Sequence, residues 1–269
     1  MTNAATLAAP LRFEGVGLHT GATATMEIRP AAANMGIVFV AAGTRIPAVA
    51  EFASESALAT VIGRDGTTIS TIEHVLSALL ACGVSDAEIV LEGPEIPILD
   101  GSARPYVEAI EAGGLREQDA ARPVYAPSEA QTFRDGDKAV VVLPAPDFRV
   151  RFVGEYAPPI GTHYFDAAIT PQVYRDEIAP ARTFAFLRDV ELMRSRGLAR
   201  GGSLDNALVF DEDGPMQPLQ WPNEVVRHKV LDLIGDFALL GAWPRCEVIA
   251  IKSGHAMHTR VIRELRNRG

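Results

Sequence analysis

A chain of 269 residues, 48% of them hydrophobic and 22% charged, can bury one large core or two ordinary ones and is too apolar to be disordered. Its net charge of −9 argues against a nucleic-acid partner held through a basic face. An anionic small molecule is still accessible to it, wherever a few Lys or Arg side chains converge. Cys82 and Cys246 have neither metal-binding nor disulfide-like spacing and read as reduced, buried thiols. No long apolar run and no charged-then-apolar leader occurs, so a cytoplasmic protein without an integral membrane segment is expected.

In chain order, Gly15, Gly17 and Gly21 predict turns, and TATMEIRP after them alternates as a strand. GIVFVAAG and TRIPAVA read as two more strands, in a small side sheet. TIEHVLSALLACG predicts a helix ended by Gly83, AEIVLEG a strand, EIPILDGSA a loop, and ARPYVEAIEAGG a helix closed by Gly113 and Gly114. Residues 116–128 are polar, contain prolines and lack periodicity, which predicts a linker between domains at 1–120 and 121–269. Strands QTFRDG, KAVVVLP and FRVRFVGEY follow, then a helix near TPQVYRDEI and a segment from Arg182 to Phe210. The long helix 223–241, the strand CEVIAIK and the helix MHTRVIRELR complete the chain. Strands followed by helices, twice over, predict an α+β chain of two similar halves with a site at the seam between them.

The chemistry concentrates in the 223–241 helix. His228, Asp232 and Asp236 recur at spacings of four and share one stripe, on a helix otherwise apolar nearly all round. A buried row of one imidazole and two carboxylates must be paired, protonated or metal-bound. His228 and Asp232 suit two ligands of a zinc ion; a hydrogen-bonded pair in the core is the competing reading. Arg227 and Lys229 flank the stripe. Glu73 and His74 open the first helix, where Ser70-x-x-Glu73 also fits a capping box; the alternative makes His74 a third ligand and Glu73 a general base. His255, in KSGH at a strand-to-helix junction, is either catalytic or a surface residue. His258 reads as a surface residue, and His19, framed by glycines, as support for a tight turn.

Taken together, GVGLHTG, STIEHVLSALLACG, EIPILDGSA, ARTFAFLRD, GLARGGSLDNALV, VRHKVLDLIGD and KSGH, in this order, closely resemble the zinc-dependent UDP-3-O-acyl-N-acetylglucosamine deacetylases of lipid A biosynthesis. The resemblance runs from about Glu14 to Arg263. It implies zinc held by His74, His228 and Asp232; N/O sites of this kind bind several divalent metals, so iron(II) is the cellular alternative. It implies Glu73 as general base, His255 as the cationic acid, Asp236 as the group that orients it, and Thr183 as an oxyanion donor. It further implies a UDP-linked acylated amino sugar as substrate, acetate as product and the committed step of lipid A synthesis in a Gram-negative bacterium. Lys229, Lys138, Lys252 and Tyr156 fall on positions tied to substrate binding, the last three toward the nucleotide. Phe184, Leu58, Val190 and Ala207, with Leu198 and Ala199, fall on the acyl-chain passage, whose insert spans about 184–210. The expected fold is then two βααβ-type domains in a two-layer sandwich, each with a small insert, acting as a monomer. Ala185, His163 and Gln220 depart from the residues usual in relatives, and the chain stops soon after its last helix; none of these touches the expected ligands or acid–base groups.

Overall fold

Side-chain alternation builds the sheets. In Thr23–Pro30, Ala24, Met26 and Ile28 are buried between exposed or half-buried neighbours, as one core-facing side of a strand requires. The computed structural model describes residues 3–268. Its first half holds five strands in the order Leu11–Val16, Thr23–Pro30, Ala87–Glu92, Ile37–Ala41, Thr44–Pro47. The second half repeats that order with Gln131–Asp135, Lys138–Pro144, Cys246–Ile251, Arg149–Glu155 and Thr162–Ala168. In each sheet the last strand in sequence lies centrally, antiparallel to one neighbour and parallel to the other.

A parallel neighbour cannot be reached by a tight turn, so a crossover must precede the central strand. It ends in the helix Glu73–Cys82 in the first half and Glu224–Phe237 in the second. Each central strand then leads to another helix, Arg104–Gly113 or His255–Arg268. The 73–82 and 224–237 helices pack on each other between the sheets, and their apolar faces join the two halves into one continuous core.

Gly235 sets how closely they approach. A Cβ at this position would lie 2.1 Å from the backbone oxygen of Glu73, so the helix backbones touch where the titratable residues sit. Gly235→Ala is therefore expected to destabilise the fold by about 1–3 kcal/mol, despite alanine's better helix propensity, because two helices must separate. Urea unfolding would measure the loss. Metal analysis would show whether the residues around position 74 have been pulled from those at 228 and 232.

Several expectations change. Ile37–Ala41 and Thr44–Pro47 are not a side sheet; they complete the main one, because Ile37–Ala41 pairs in parallel with the later strand Ala87–Glu92. The small first-half sheet is instead Ala53–Ser54, Val61–Arg64 and Thr67–Ser70. Residues 116–121 are not linker: Leu115–Ala121 pairs antiparallel with Asn3–Leu7, and its polar sequence reflects an exposed edge. The strand Thr162–Ala168, an addition to the predicted set, closes the second sheet. In the 184–210 region, Phe184–Phe186 and Leu208–Phe210 pair in parallel around the helix Leu187–Ser195. Among the described residues, no helix is long and apolar enough to cross a membrane. Cys246 is buried and Cys82 half-buried, both as free thiols.

Candidate active site

The stripe on the 224–237 helix is buried throughout: His228 and Asp232 are each 3% exposed and Asp236 is fully enclosed. Opposite it, the helix crossing delivers Glu73 and His74. Glu73 makes no capping box. The 73–82 helix starts without a side-chain cap, and Glu73 Oε2 instead accepts the Thr60 backbone N–H at 3.0 Å. The capping interpretation of Ser70 and Glu73 is thereby removed, and a buried carboxylate faces the seam.

Ligand-type atoms of His74, His228 and Asp232 converge within 4.8 Å of one another. Asp232 Oδ1 stands 3.4 Å from His228 Nε2 and 3.9 Å from His74 Nε2. The backbone oxygen of Ala181 accepts a hydrogen bond from His228 Nδ1 at 3.0 Å, which leaves Nε2 as the free lone pair. The His74 ring has no hydrogen-bond partner among the described residues, and its buried Nδ1 is orphaned. Burial and the neighbouring His228 push His74 down to about 3, so it is a neutral donor. Two neutral imidazoles and one carboxylate in a buried cleft fit a borderline divalent cation such as zinc.

Glu73, Asp232 and His255 form an overlapping group of the same size. It fits a cation less well, because His255 carries charge. Burial opposes that charge, but Asp236, Asp232 and Glu73 outweigh it and raise His255 to about 9. Its Nδ1 donates to Asp236 Oδ2 at 2.9 Å, and its Nε2 lies 3.6 Å from Asp232 and 3.9 Å from Glu73. Burial pushes Glu73 up to about 7; His255 opposes this, while Asp232 and Asp236 add to it. The site thus pairs a carboxyl poised near neutrality with an imidazolium about 4 Å away.

These groups open into a cleft of about 180 Å³, lined also by Leu18, His19, Leu58, Thr71, Thr183, Phe184 and Lys229. A larger cavity of about 310 Å³ lies at the other end of the helix pair, around Leu79, Gly83 and Trp243, away from both cation-type groups. His19 does more than support a turn: it lines the cleft, and its buried ring nitrogens make no hydrogen bond of good geometry among the described residues. Its loop is held by Glu95, a wholly buried carboxylate that accepts from the His19 and Thr20 backbone N–H groups and from the Thr20 and Thr71 hydroxyls. Only glycine fits at position 17, where a Cβ would stand 2.3 Å from that carboxylate. Glu95 was legible only as part of a loop, and the one available signal was an acidic side chain in an otherwise apolar EIPIL.

The family of UDP-3-O-acyl N-acetylglycosamine deacetylases matches this sequence over residues 4–267. The chain belongs to this family. Curated relatives named UDP-3-O-acyl-N-acetylglucosamine deacetylase agree over nearly the whole chain. The protein from Syntrophotalea carbinolica is 43% identical over 97% of this chain and 86% of its own length. That from Myxococcus xanthus is 42% identical over 98% and 86%, and that from Phenylobacterium zucineum 43% over 97% and 92%.

Other residues expected from the deacetylase resemblance are dispersed. Lys229 faces the cleft and binds Asp232 through Nζ. Leu58, 46% exposed, stands at the cleft wall. Tyr156 is half-buried: its ring meets Phe184 edge-on at 5.5 Å, and its buried hydroxyl has no hydrogen-bond partner among the described residues. Lys252 is paired with Asp137 at 2.8 Å and Glu155 at 2.6 Å, and Lys138 is exposed at the adjoining hairpin; neither lines the cleft. Val190 lies half-buried on the 187–195 helix, while Ala207 is buried and accepts from Gln217 through its backbone oxygen at 2.6 Å. Gln220 links Arg104 to the backbone of Pro180, a structural use of the unusual residue. His258 is not on the surface; it is fully buried against Asp236.

Proposed function

We propose that this chain removes the N-acetyl group of UDP-3-O-(3-hydroxyacyl)-N-acetylglucosamine, releasing acetate in the committed step of lipid A biosynthesis, in the cytoplasm of a Gram-negative bacterium. The observation that carries this reading is the convergence of His74, His228 and Asp232 beside Glu73 and His255 in one cleft. His74, His228 and Asp232 would hold zinc, or iron(II) where iron is more available. When bound, the cation supplies Lewis-acid polarisation of the amide carbonyl and lowers the pKa of water toward about 7.

The chain's own groups do the rest. Glu73, poised near 7 by burial, takes a proton from the attacking water. Thr183 donates its hydroxyl to the oxyanion that develops on the carbonyl. His255 enters charged, steadies that oxyanion, and gives its proton to the departing amine. Asp236 keeps His255 oriented and protonated. Lys229 offers a cation to the anionic substrate, and Phe184 and Leu58 offer apolar wall to its acyl chain. Val190 and Ala207 extend that apolar route along the insert. The nucleotide would reach toward Tyr156, Lys138 and Lys252, where the pairs of Lys252 with Asp137 and Glu155 must yield to phosphate.

The test is acetate release from the 3-O-acylated UDP-sugar and from unacylated UDP-N-acetylglucosamine, with metal quantified before and after chelation. Turnover of the acylated substrate that vanishes with the metal and returns on adding zinc is expected. A metal-replete protein that binds the acylated substrate and releases no acetate would overturn the assignment.

A further inference from the structure

Asp236 has more partners than orienting one histidine requires. Its Oδ1 accepts from the Thr60 hydroxyl, and its Oδ2 accepts from His255 Nδ1 at 2.9 Å and from His258 Nδ1 at 2.6 Å. A carboxylate is an acceptor only, so both imidazoles must present N–H at Nδ1. His258 Nε2 is then free to accept from the Ser253 hydroxyl, which lies 2.8 Å away. Burial lowers the pKa of His258, in keeping with a neutral ring. The two histidines therefore differ in kind: His255 lines the cleft, whereas His258 is wholly buried behind Asp236 and reaches no reacting atom.

Thr60 comes from the other half of the molecule. It lies between the strands Ala53–Ser54 and Val61–Arg64, and is 1% exposed. Its backbone N–H holds Glu73 Oε2 at 3.0 Å while its hydroxyl holds Asp236, and the same oxygen lies 3.1 Å from His255 Nδ1. One residue thus holds one proton-handling group, Glu73, directly and the other, His255, through its partner Asp236 across the seam.

We propose that Thr60 and His258 are positioning residues that clamp the Asp236 carboxylate from two sides, and through it fix the His255 ring with Nε2 toward the cleft. The proposal rests on the deacetylase reading for its kinetic consequence, although the clamp itself is a property of the folded chain. Without the Thr60 hydroxyl or the His258 N–H, Asp236 keeps its charge but gains freedom to rotate. The His255 ring then spends less time aimed at the departing amine. Loss of such supporting hydrogen bonds typically costs roughly 10–100-fold in activity.

Paired substitutions in the full, metal-loaded chain test this. Thr60→Val keeps threonine's shape without its hydroxyl, and Thr60→Ser keeps the hydroxyl. His258→Leu removes the donor, and His258→Asn places an amide N–H near the position of Nδ1. The Val and Leu variants are expected to lose kcat by roughly 10–100-fold with KM and metal content unchanged, and the Ser and Asn variants to recover most of it. Wild-type kcat in Thr60→Val, equal losses in both members of a pair, or loss of metal in place of kcat would overturn the clamp. Should His258→Leu fail to fold, the Thr60 pair carries the test alone. Nitrogen-15 NMR of the His255 ring gives a readout independent of turnover: its Nδ1 proton should exchange slowly in wild type and Thr60→Ser and rapidly in Thr60→Val. If wild type releases no acetate, the deacetylase reading fails while this spectrum still decides the clamp; equal exchange in all three proteins overturns it.

Discussion

Asp232→Ala is expected to lose bound metal and acetate release together. Asp232 supplies the only negative charge among the three candidate ligands, and its carboxylate lies between the two imidazoles, within 4 Å of each. Burial opposes that charge, but Lys229, His228 and His255 hold the carboxyl well below the ordinary range, so it is an anion at any working pH. Removing it leaves two neutral donors facing a lysine that has lost its partner. Two imidazoles beside an unpaired ammonium make a poor cation site. Several kcal/mol of transition-state stabilisation should disappear with the metal, a loss of at least about 10³-fold in rate. Metal content and acetate release, measured on the same folded preparation, decide the matter. A metal-replete Asp232→Ala with wild-type turnover would sink the ligand assignment.

That prediction could be framed from the sequence because helical geometry is local. Spacings of four put His228, Asp232 and Asp236 on one stripe whatever the helix packs against, and the apolar remainder foretold burial. Glu73 was harder. Its sequence context fits a cap as well as a base, and only the crossing at Gly235 and the Thr60 N–H exclude the cap. His258 reads as surface while the last helix is taken to start at Met257; the helix starts at His255, and a spacing of three then puts both imidazoles on one face. Thr60 and Glu95 carried almost none, since a threonine between strands and a glutamate in a loop acquire meaning only from partners far away in sequence. Long-range pairing likewise explains the strands. Ile37–Ala41 reads as peripheral until Ala87–Glu92 arrives beside it, and Leu115–Ala121 reads as linker because an exposed edge needs no apolar face. The acyl-passage and nucleotide residues depend on a ligand's path and were legible only through resemblance.

His255→Ala separates chemistry from metal binding. The ring hydrogen-bonds to neither His74 nor His228, and its Nε2 comes no nearer than 3.6 Å to Asp232, on the Oδ2 side away from the two imidazoles, so the variant is expected to retain metal while kcat falls about 10²–10³-fold, as for loss of one oxyanion or acid group. The pH profile sharpens the test. With burial opposing but Asp236, Asp232 and Glu73 prevailing, His255 is raised to about 9; it therefore holds its proton through neutral pH and loses it as pH rises. Glu73, raised to about 7 by burial, becomes a base as pH rises through that value. Wild-type kcat/KM should accordingly be bell-shaped, its acid limb set by Glu73 and its alkaline limb by His255. A cation beside both groups favours their deprotonated forms, so both limbs should lie at or below these values. His255→Ala should abolish the alkaline limb and leave the acid limb in place. Asp236→Asn, which keeps an oxygen for the ring but removes the charge, should move the alkaline limb downward and not erase it. An unchanged alkaline limb in His255→Ala would assign that limb to another group and deny His255 the role of proton donor.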